Sequence, residues 1–341
     1  MLISALVIGV FVGISLQRGR ACTNTAFRNI LMIRNYELVL FLVVAVCVEI
    51  LGYVILSLTM PNQFYFNPIP LSYLLIPLGG LIFGFGTVFA GGCAGGTCYR
   101  IGNGSISALL AFLGFAFGIG LMNISPLSTI ITSARNKTTL EVNGETPSLI
   151  QFLPMSVIIS FSLLILIYSI YYYRNLIKSD KIKLDHLKKY WNPVTTGLIL
   201  GTLGVLARYN SMLYDRFFGL STTDGIAEIF LSLFQVSTMD WAGNFIVGLI
   251  LGSLISSYLS KEFKINIPPR IEIMRFFGGG ILMGIGAMLG LGCNFGHILG
   301  GIPELGLSSI ISLIFMVIGN WLGSHIYYSA WNNSLPESTP I

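Results

Sequence analysis

Charge is what this sequence has least of. Of 341 residues only 10% are Asp, Glu, Lys or Arg and 54% are hydrophobic, against about 25% charged in soluble domains. That excludes a chain whose main solvent is water. No G-x-x-x-x-G-K-[ST] loop is present to cradle a nucleotide phosphate, which argues against direct ATP drive by this chain. No Cys-x-x-Cys pair is present either, so a closed tetrahedral Zn or Cu(I) site has little support, and such a site would also block a path. No charged run precedes the first apolar segment: in MLISALVIGVFVGISLQRGR the arginines follow it, the reverse of a secretory signal, and the segment reads as a retained helix.

What is present is apolar sequence. Stretches at 2–16, 38–58, 71–90, 106–124, 152–173, 194–206, 241–259, 276–291 and 310–331 are separated by polar links. Several reach the ~20 residues that a spanning helix needs, and others are shorter and broken by Gly. Short, Gly-interrupted segments predict half-helices whose freed backbone groups are satisfied by protein or by a cavity, a transporter signature. The net charge of +5 lies mostly in the links, where membrane topology accounts for it, so nucleic acid is not an expected partner and the lipid bilayer is.

The chain carries its glycines twice. Gly79, Gly80, Gly84, Gly86, Gly92, Cys93 and Gly96 align without a gap on Gly279, Gly280, Gly284, Gly286, Gly292, Cys293 and Gly296. A weaker match sets Gly9, Gly13 and Arg20 on Gly197, Gly201 and Arg208, which puts Asn210 opposite Cys22. The expected organisation is a first transmembrane repeat at 1–175, a basic linker at 176–191, a second repeat at 192–331 and a tail at 332–341. Arg174, Lys178, Lys181, Lys183, Lys188 and Lys189 assign the linker to the cytoplasm, and Lys261, Lys264, Arg270 and Arg275 mark a second cytoplasmic loop. The segment 125–151, with balanced charge, fits the outside. On that count the N-terminus is outside and the C-terminus cytoplasmic, and the repeats are inverted. The Cys93 hairpin is expected to begin and end outside, and the Cys293 hairpin to begin and end inside. The fold class is therefore an all-α polytopic membrane protein with two inverted repeats and Gly/Cys loops converging on a central path.

Three motifs carry polar chemistry into this apolar frame. LQRGRACTNTAFRN (16–29) joins Cys22 to arginines, of which Arg20 is favoured because its repeat partner Arg208 is also arginine. GGCAGGTCYRIGNG (91–104) holds Cys93 and Cys98 and is too rich in glycine to continue a helix, so its amides could form an anion nest. Glycine alone also serves close helix approach, which explains Gly80, Gly84, Gly114 and Gly118 without any function. GLGCNFGH (290–297) repeats the second motif and adds Asn294 and His297, although a lone histidine is more often a satisfied structural residue than a ligand. Cys47, in the middle of a predicted helix, reads as packing. Thiols in a pore suit a soft, polarizable sulphur atom better than a hard oxyanion, and weak contacts at successive cysteines let an ion both enter and leave. The same cysteines could instead cycle through persulfide or disulfide in a membrane sulphur-transfer protein.

On these residues the chain resembles the YeeE/YedE sulphur-transport family, over nearly its whole length and in both halves. The resemblance rests on LQRGRACTNTAFRN, GGCAGGTCYRIGNG and GGGILMGIGAMLGLGCNFGHILGG. It implies a bacterial inner-membrane protein that takes up thiosulfate unaltered, with no catalytic residue, metal or cofactor. Loops from both faces would meet at a central constriction, and a small cytoplasmic sulphur-carrier protein is an implied partner. Carried over residue by residue, the path cysteines are Cys22, Cys93 and Cys293; Cys98 has no repeat counterpart, since position 298 is Ile. Family members associated with selenium metabolism leave a selenium compound as an alternative substrate. The expected order, taken from the topology, is Cys93 first from outside, then Cys22 and Cys293, with arginine and backbone N–H groups offsetting the anion's charge.

Overall fold

The computed structural model describes residues 2–124, 126–142, 144–178, 190–214, 216, 218–234 and 238–334. Most of the linker expected at 176–191, with Lys181, Lys183, Lys188 and Lys189, lies outside the described residues, as does most of the tail at 332–341. The described residues are mostly helical, with loops between the helices and one two-residue antiparallel pair, β1 (Leu71–Ser72) with β2 (Thr139–Leu140). Among the described residues, eight helical stretches are long and apolar enough to cross a membrane. This is a multi-pass membrane protein.

The first half runs through α1 (Leu2–Gly19), α2 (Thr23–Met32), α3 (Glu37–Thr59), α4 (Leu75–Phe89), α5 (Ala94–Gly102), α6 (Ile106–Ile124), α7 (Leu127–Thr138) and α8 (Met155–Lys178). The second runs through α9 (Pro193–Met212), α10 (Thr222–Leu233), α11 (Trp241–Leu259), α12 (Arg270–Gly290), a short segment of Asn294–Gly296 and a π-turn at His297–Gly301, and α13 (Leu307–Ser334). Packing is reciprocal between the halves: α1 lies on α11 and α9 on α3, α4 lies on α13 and α12 on α6, and α4 and α12 lie on each other. Glycine sets how close these helices come. A methyl group at Gly13 would lie 2.0 Å from the Leu249 carbonyl oxygen, and one at Gly84 2.0 Å from that of Met316. Gly80, Gly84, Gly114 and Gly118 all face a neighbouring helix's backbone in this way, so their role is close packing.

Hydrogen bonds between loops define the two ends of the bundle. At one end β1 pairs with β2, the Leu149 N–H donates to the Leu305 carbonyl, and the Leu307 N–H to that of Pro147. At the other the Trp191 N–H donates to the Arg18 carbonyl, the Lys264 N–H to that of Asn103, and the Ile106 N–H to that of Asn266. α6, about 28 Å long, joins the second end to the first. This corrects the expected hairpins. The chain through α4, Cys93 and α5 starts beside β2 and finishes beside Asn266. The chain through α12 and Cys293 starts after the 261–269 loop and finishes against Pro147 and Ser148. Each cysteine loop is thus a break within a crossing and not the tip of a hairpin that returns to its own side.

The breaks have local causes. Glycine at 91, 92, 95 and 96 removes helix propensity, and Gly91 adopts φ +73°, where only glycine is free of strain. Its repeat partner is Leu291, which holds φ +61°. A leucine in that region is strained by about 1 kcal/mol or more, and such strain gathers at functional loops.

Candidate functional site

Where the crossings break, new helices begin, and their first residues meet in the middle of the chain's fold. Cys93 caps α5, its Sγ accepting from the Gly96 N–H at 3.1 Å. Cys293 caps the short segment at 294–296 in the same way, accepting from the Gly296 N–H at 3.3 Å. Cys22 stands at the cap of α2, and its Sγ lies 3.8 Å from that of Cys93. All three thiols, with Cys47 and Cys98, are free and buried.

The two halves touch across this centre. The Asn294 side-chain amide donates to the Thr23 hydroxyl, and the Phe295 ring packs so closely on α5 that a methyl at Gly95 would lie 2.9 Å from it. The helices that start at Cys22 and Cys93 bring the positive ends of their dipoles into this core, an arrangement suited to an anion. A soft sulphur atom would meet two thiols there; oxygen atoms would meet amides and hydroxyls.

The second half supplies a hydroxyl where the first has a thiol. Ser221 caps α10, accepting from the Asp224 N–H, and Thr222 Oγ1 is 2.9 Å from Cys293 Sγ. A methyl built on Gly96 would face Cys22 and Cys93, and one on Gly296 would face Ser221 and Cys293. The residue corresponding to Cys22 is therefore Ser221. The alignment that puts Asn210 there is corrected: Asn210 accepts hydrogen bonds from Ser4 and Trp241 on the outside of this group. Ser221 and Thr222 are the residues that sequence reasoning misses. The signal was in reach, because Ser221-Thr222-Thr223-Asp224-Gly225 echoes Cys22-Thr23-Asn24-Thr25-Ala26. A cavity of about 200 Å³ borders Ser221, Gly292 and Gly296 and opens beneath Ile69 and Pro70, at the end that carries β1 and β2.

The remaining candidates divide. Asn294 belongs to the centre. Cys98 is fully buried in α5 within the same core. His297 is buried with both ring nitrogens engaged, one with Ser309 Oγ at 3.1 Å and one with the Gly290 carbonyl at 3.0 Å, so it braces the Cys293 loop. Arg20 is not brought to the thiols: its side chain is 55% exposed, stacks on Tyr190 and lies 3.6 Å from Glu262. Arg208 is fully buried but paired with Glu304 at 2.6 Å, and it donates to the Tyr65 carbonyl. A further buried cluster, Asn320 donating to Asn24 and Thr87, steadies α2 against α4 and α13 and was not foreseen.

The chain is similar to several bacterial transporters. It is 32% identical over 337 residues to the thiosulfate transporter TsuA of Spirochaeta thermophila, covering 96% of this chain and 99% of that protein. It is 29% identical over 342 residues to the TsuA of Escherichia coli, with 96% and 95% covered. The probable transporter YedE of Escherichia coli matches at 27% over 157 residues, 40% of this chain and 38% of that protein. A family model described as sulphur transport matches residues 18–322, and the chain that builds these cysteine-capped breaks belongs to that family.

Proposed function

We propose that this chain is an inner-membrane transporter that takes up thiosulfate along a path lined by Cys293, Cys93 and Cys22. The observation that carries the reading is the pair of thiols 3.8 Å apart, with a third thiol on the opposing break, all at helix starts in the core. Each S–H is a weak donor to the terminal sulphur, and the Thr23 and Thr222 hydroxyls beside the thiols suit the sulfonate oxygens. An uncompensated dianion in low dielectric is prohibitively costly, and N–H groups at the helix starts offset it in place of arginine.

The two repeats, 1–175 and 192–331, act as an inverted pair joined by the cytoplasmic linker. With the basic 261–275 loop inside, the N-terminus is outside, the C-terminus cytoplasmic, and the cavity at Ser221 faces outward. The order of contacts is then Cys293 first and the Cys22–Cys93 pair last, the reverse of the order expected from hairpins. The thiosulfate so delivered meets a small cytoplasmic sulphur-carrier protein on the inner side.

The test is uptake of sulphur-labelled thiosulfate into proteoliposomes holding the wild type, Cys93→Ser or Cys47→Ala, with sulfate as competitor. Uptake is expected in the wild type and in Cys47→Ala, to resist sulfate, and to fall at least tenfold in Cys93→Ser. Equal uptake by all three would remove the thiols from the path. The paired thiols also suit persulfide chemistry; recovery of altered substrate from the lumen would favour that second reading, and displacement of the label by a selenium analogue alone would favour a selenium substrate.

A further inference from the structure

Behind the thiol path, α3 carries a carboxyl group that nothing accounts for. Glu49 lies within a candidate membrane span and is fully buried, and neither carboxyl oxygen has a hydrogen-bond partner. The facing helix makes room for it: a methyl at Gly204 of α9 would lie 1.6 Å from Glu49 Oε1. One turn along α3, Tyr53 is also fully buried with an unpartnered hydroxyl, set 2.6 Å from where a β-carbon on Gly219 would be. Gly219 lies between Phe218 and Ser221, two of the residues that line the outward cavity. Glu49 and Tyr53 thus form a polar line from the cavity wall into the helix pair.

Arg208, Arg216, Arg28 and His297, on elements near this stretch, have partners of their own, and the Tyr173 hydroxyl of α8 has none. On α9, Arg208 pairs with Glu304, which follows the π-turn; within that turn His297 bonds Ser309 and Gly290. Arg216, beyond α9, pairs with Asp224. α8 packs Tyr173 beside Leu40, at the start of α3, and α2 gives Arg28 to Tyr328. Arg208 keeps one unused donor, a buried Nη1 one turn along α9 from Gly204. A carboxyl group held only for stability would be replaced at no loss by an apolar side chain of its size, and an ionised one left bare inside a membrane is costly.

We propose that Glu49 is a proton-binding site that couples thiosulfate uptake to protons, exchanging its proton with the outward cavity by way of Tyr53. This rests on the transport reading above. The arrangement seen here, with no donor on either carboxyl oxygen, is assigned to the proton-bound state. When it releases its proton, the carboxylate is matched by Arg208 through the free Nη1, which gives α3 and α9 two states of different charge and a difference for the proton to act on. Uptake of a dianion is opposed by an inside-negative membrane potential, and protons moving with it offset that opposition.

The experiment uses proteoliposomes with a pH dye in the lumen and labelled thiosulfate. In the wild type, an acid-outside gradient is expected to accumulate thiosulfate above its external level, and inward thiosulfate flow is expected to acidify the lumen. Glu49→Gln, of the same shape and permanently neutral, is expected to keep thiosulfate counterflow within about twofold while losing gradient-driven accumulation and the dye signal. Tyr53→Phe is expected to slow the dye signal severalfold and leave counterflow unchanged. Wild-type counterflow without any response to the proton gradient would overturn the coupling and leave the transport reading standing, whatever Glu49→Gln does. Full accumulation by Glu49→Gln would overturn the assignment of the site. Absence of wild-type counterflow would overturn transport and coupling together.

Discussion

At the scale of single residues, the site is built from one repeated device, a short polar side chain at the first position of a helix that starts inside the core. The chemistry differs between copies because the sequence differs at one atom: sulphur at Cys22, oxygen at Ser221. Thr222 then supplies a hydroxyl 2.9 Å from Cys293 Sγ, and this contact orients the thiol placed first on the proposed path. Replacing Thr222 by Val keeps its shape and removes that bond, worth about 1 kcal/mol or about a fivefold change in an equilibrium. The expected result is thiosulfate uptake reduced several-fold with the same yield of folded protein on gel filtration. Unchanged uptake would exclude Thr222 from the path.

At the scale of helices, the bundle is held by backbone contact more than by side-chain burial. A membrane offers little hydrophobic drive between helices, so stability comes from close van der Waals approach at small residues. Gly13 tests this, because a methyl there meets the Leu249 carbonyl at 2.0 Å, and backbone cannot rotate away. Gly13→Ala is expected to force α1 off α11 and to cost about 1–3 kcal/mol, read as a lower melting temperature in detergent. Gly278→Ala is the control: nothing lies within 4 Å of its β-position, and its melting temperature should be unchanged or slightly raised, since alanine is the better helix former. A stable Gly13→Ala protein would mean that α1 and α11 are not held together at this point.

At the scale of the whole molecule, the broken crossings set the order of the thiols along the proposed path. The buried native cysteines allow single exposed cysteines to be read without removing them. Lys137, beside β2, and Lys264, bonded to Asn103, are both exposed and lie at opposite ends. In intact cells a membrane-impermeant maleimide is expected to label Lys137→Cys and to reach Lys264→Cys only after permeabilisation. Labelling of both from one side would rule out the crossing breaks, and the reverse pattern would invert the order of the thiols.

The sequence by itself determined the solvent, and it pointed to paired glycine runs and to three cysteines that the fold buries in one core. Each of these is written in composition or in fixed spacing: low charge, paired glycines, and thiols at matching positions in glycine-rich runs. It could not supply the partner of Cys22. The link between α9 and α10, residues 213–221, is longer than that between α1 and α2, residues 20–22, and an ungapped alignment slips there onto Asn210. Nor could it tell a hairpin from a broken crossing, because both read as two apolar runs around glycine, and only the bonds of Leu71 and Ser105 to different loops distinguish them. Arg20 and Arg208 look alike in the alignment, yet one is exposed on Tyr190 and the other sealed against Glu304. Glu49 stands alone among apolar neighbours in the sequence, but only the fold shows it buried without a partner. Burial and pairing are properties of what packs opposite a residue, and tertiary structure alone brought Gly204 against Glu49 and Thr222 against Cys293.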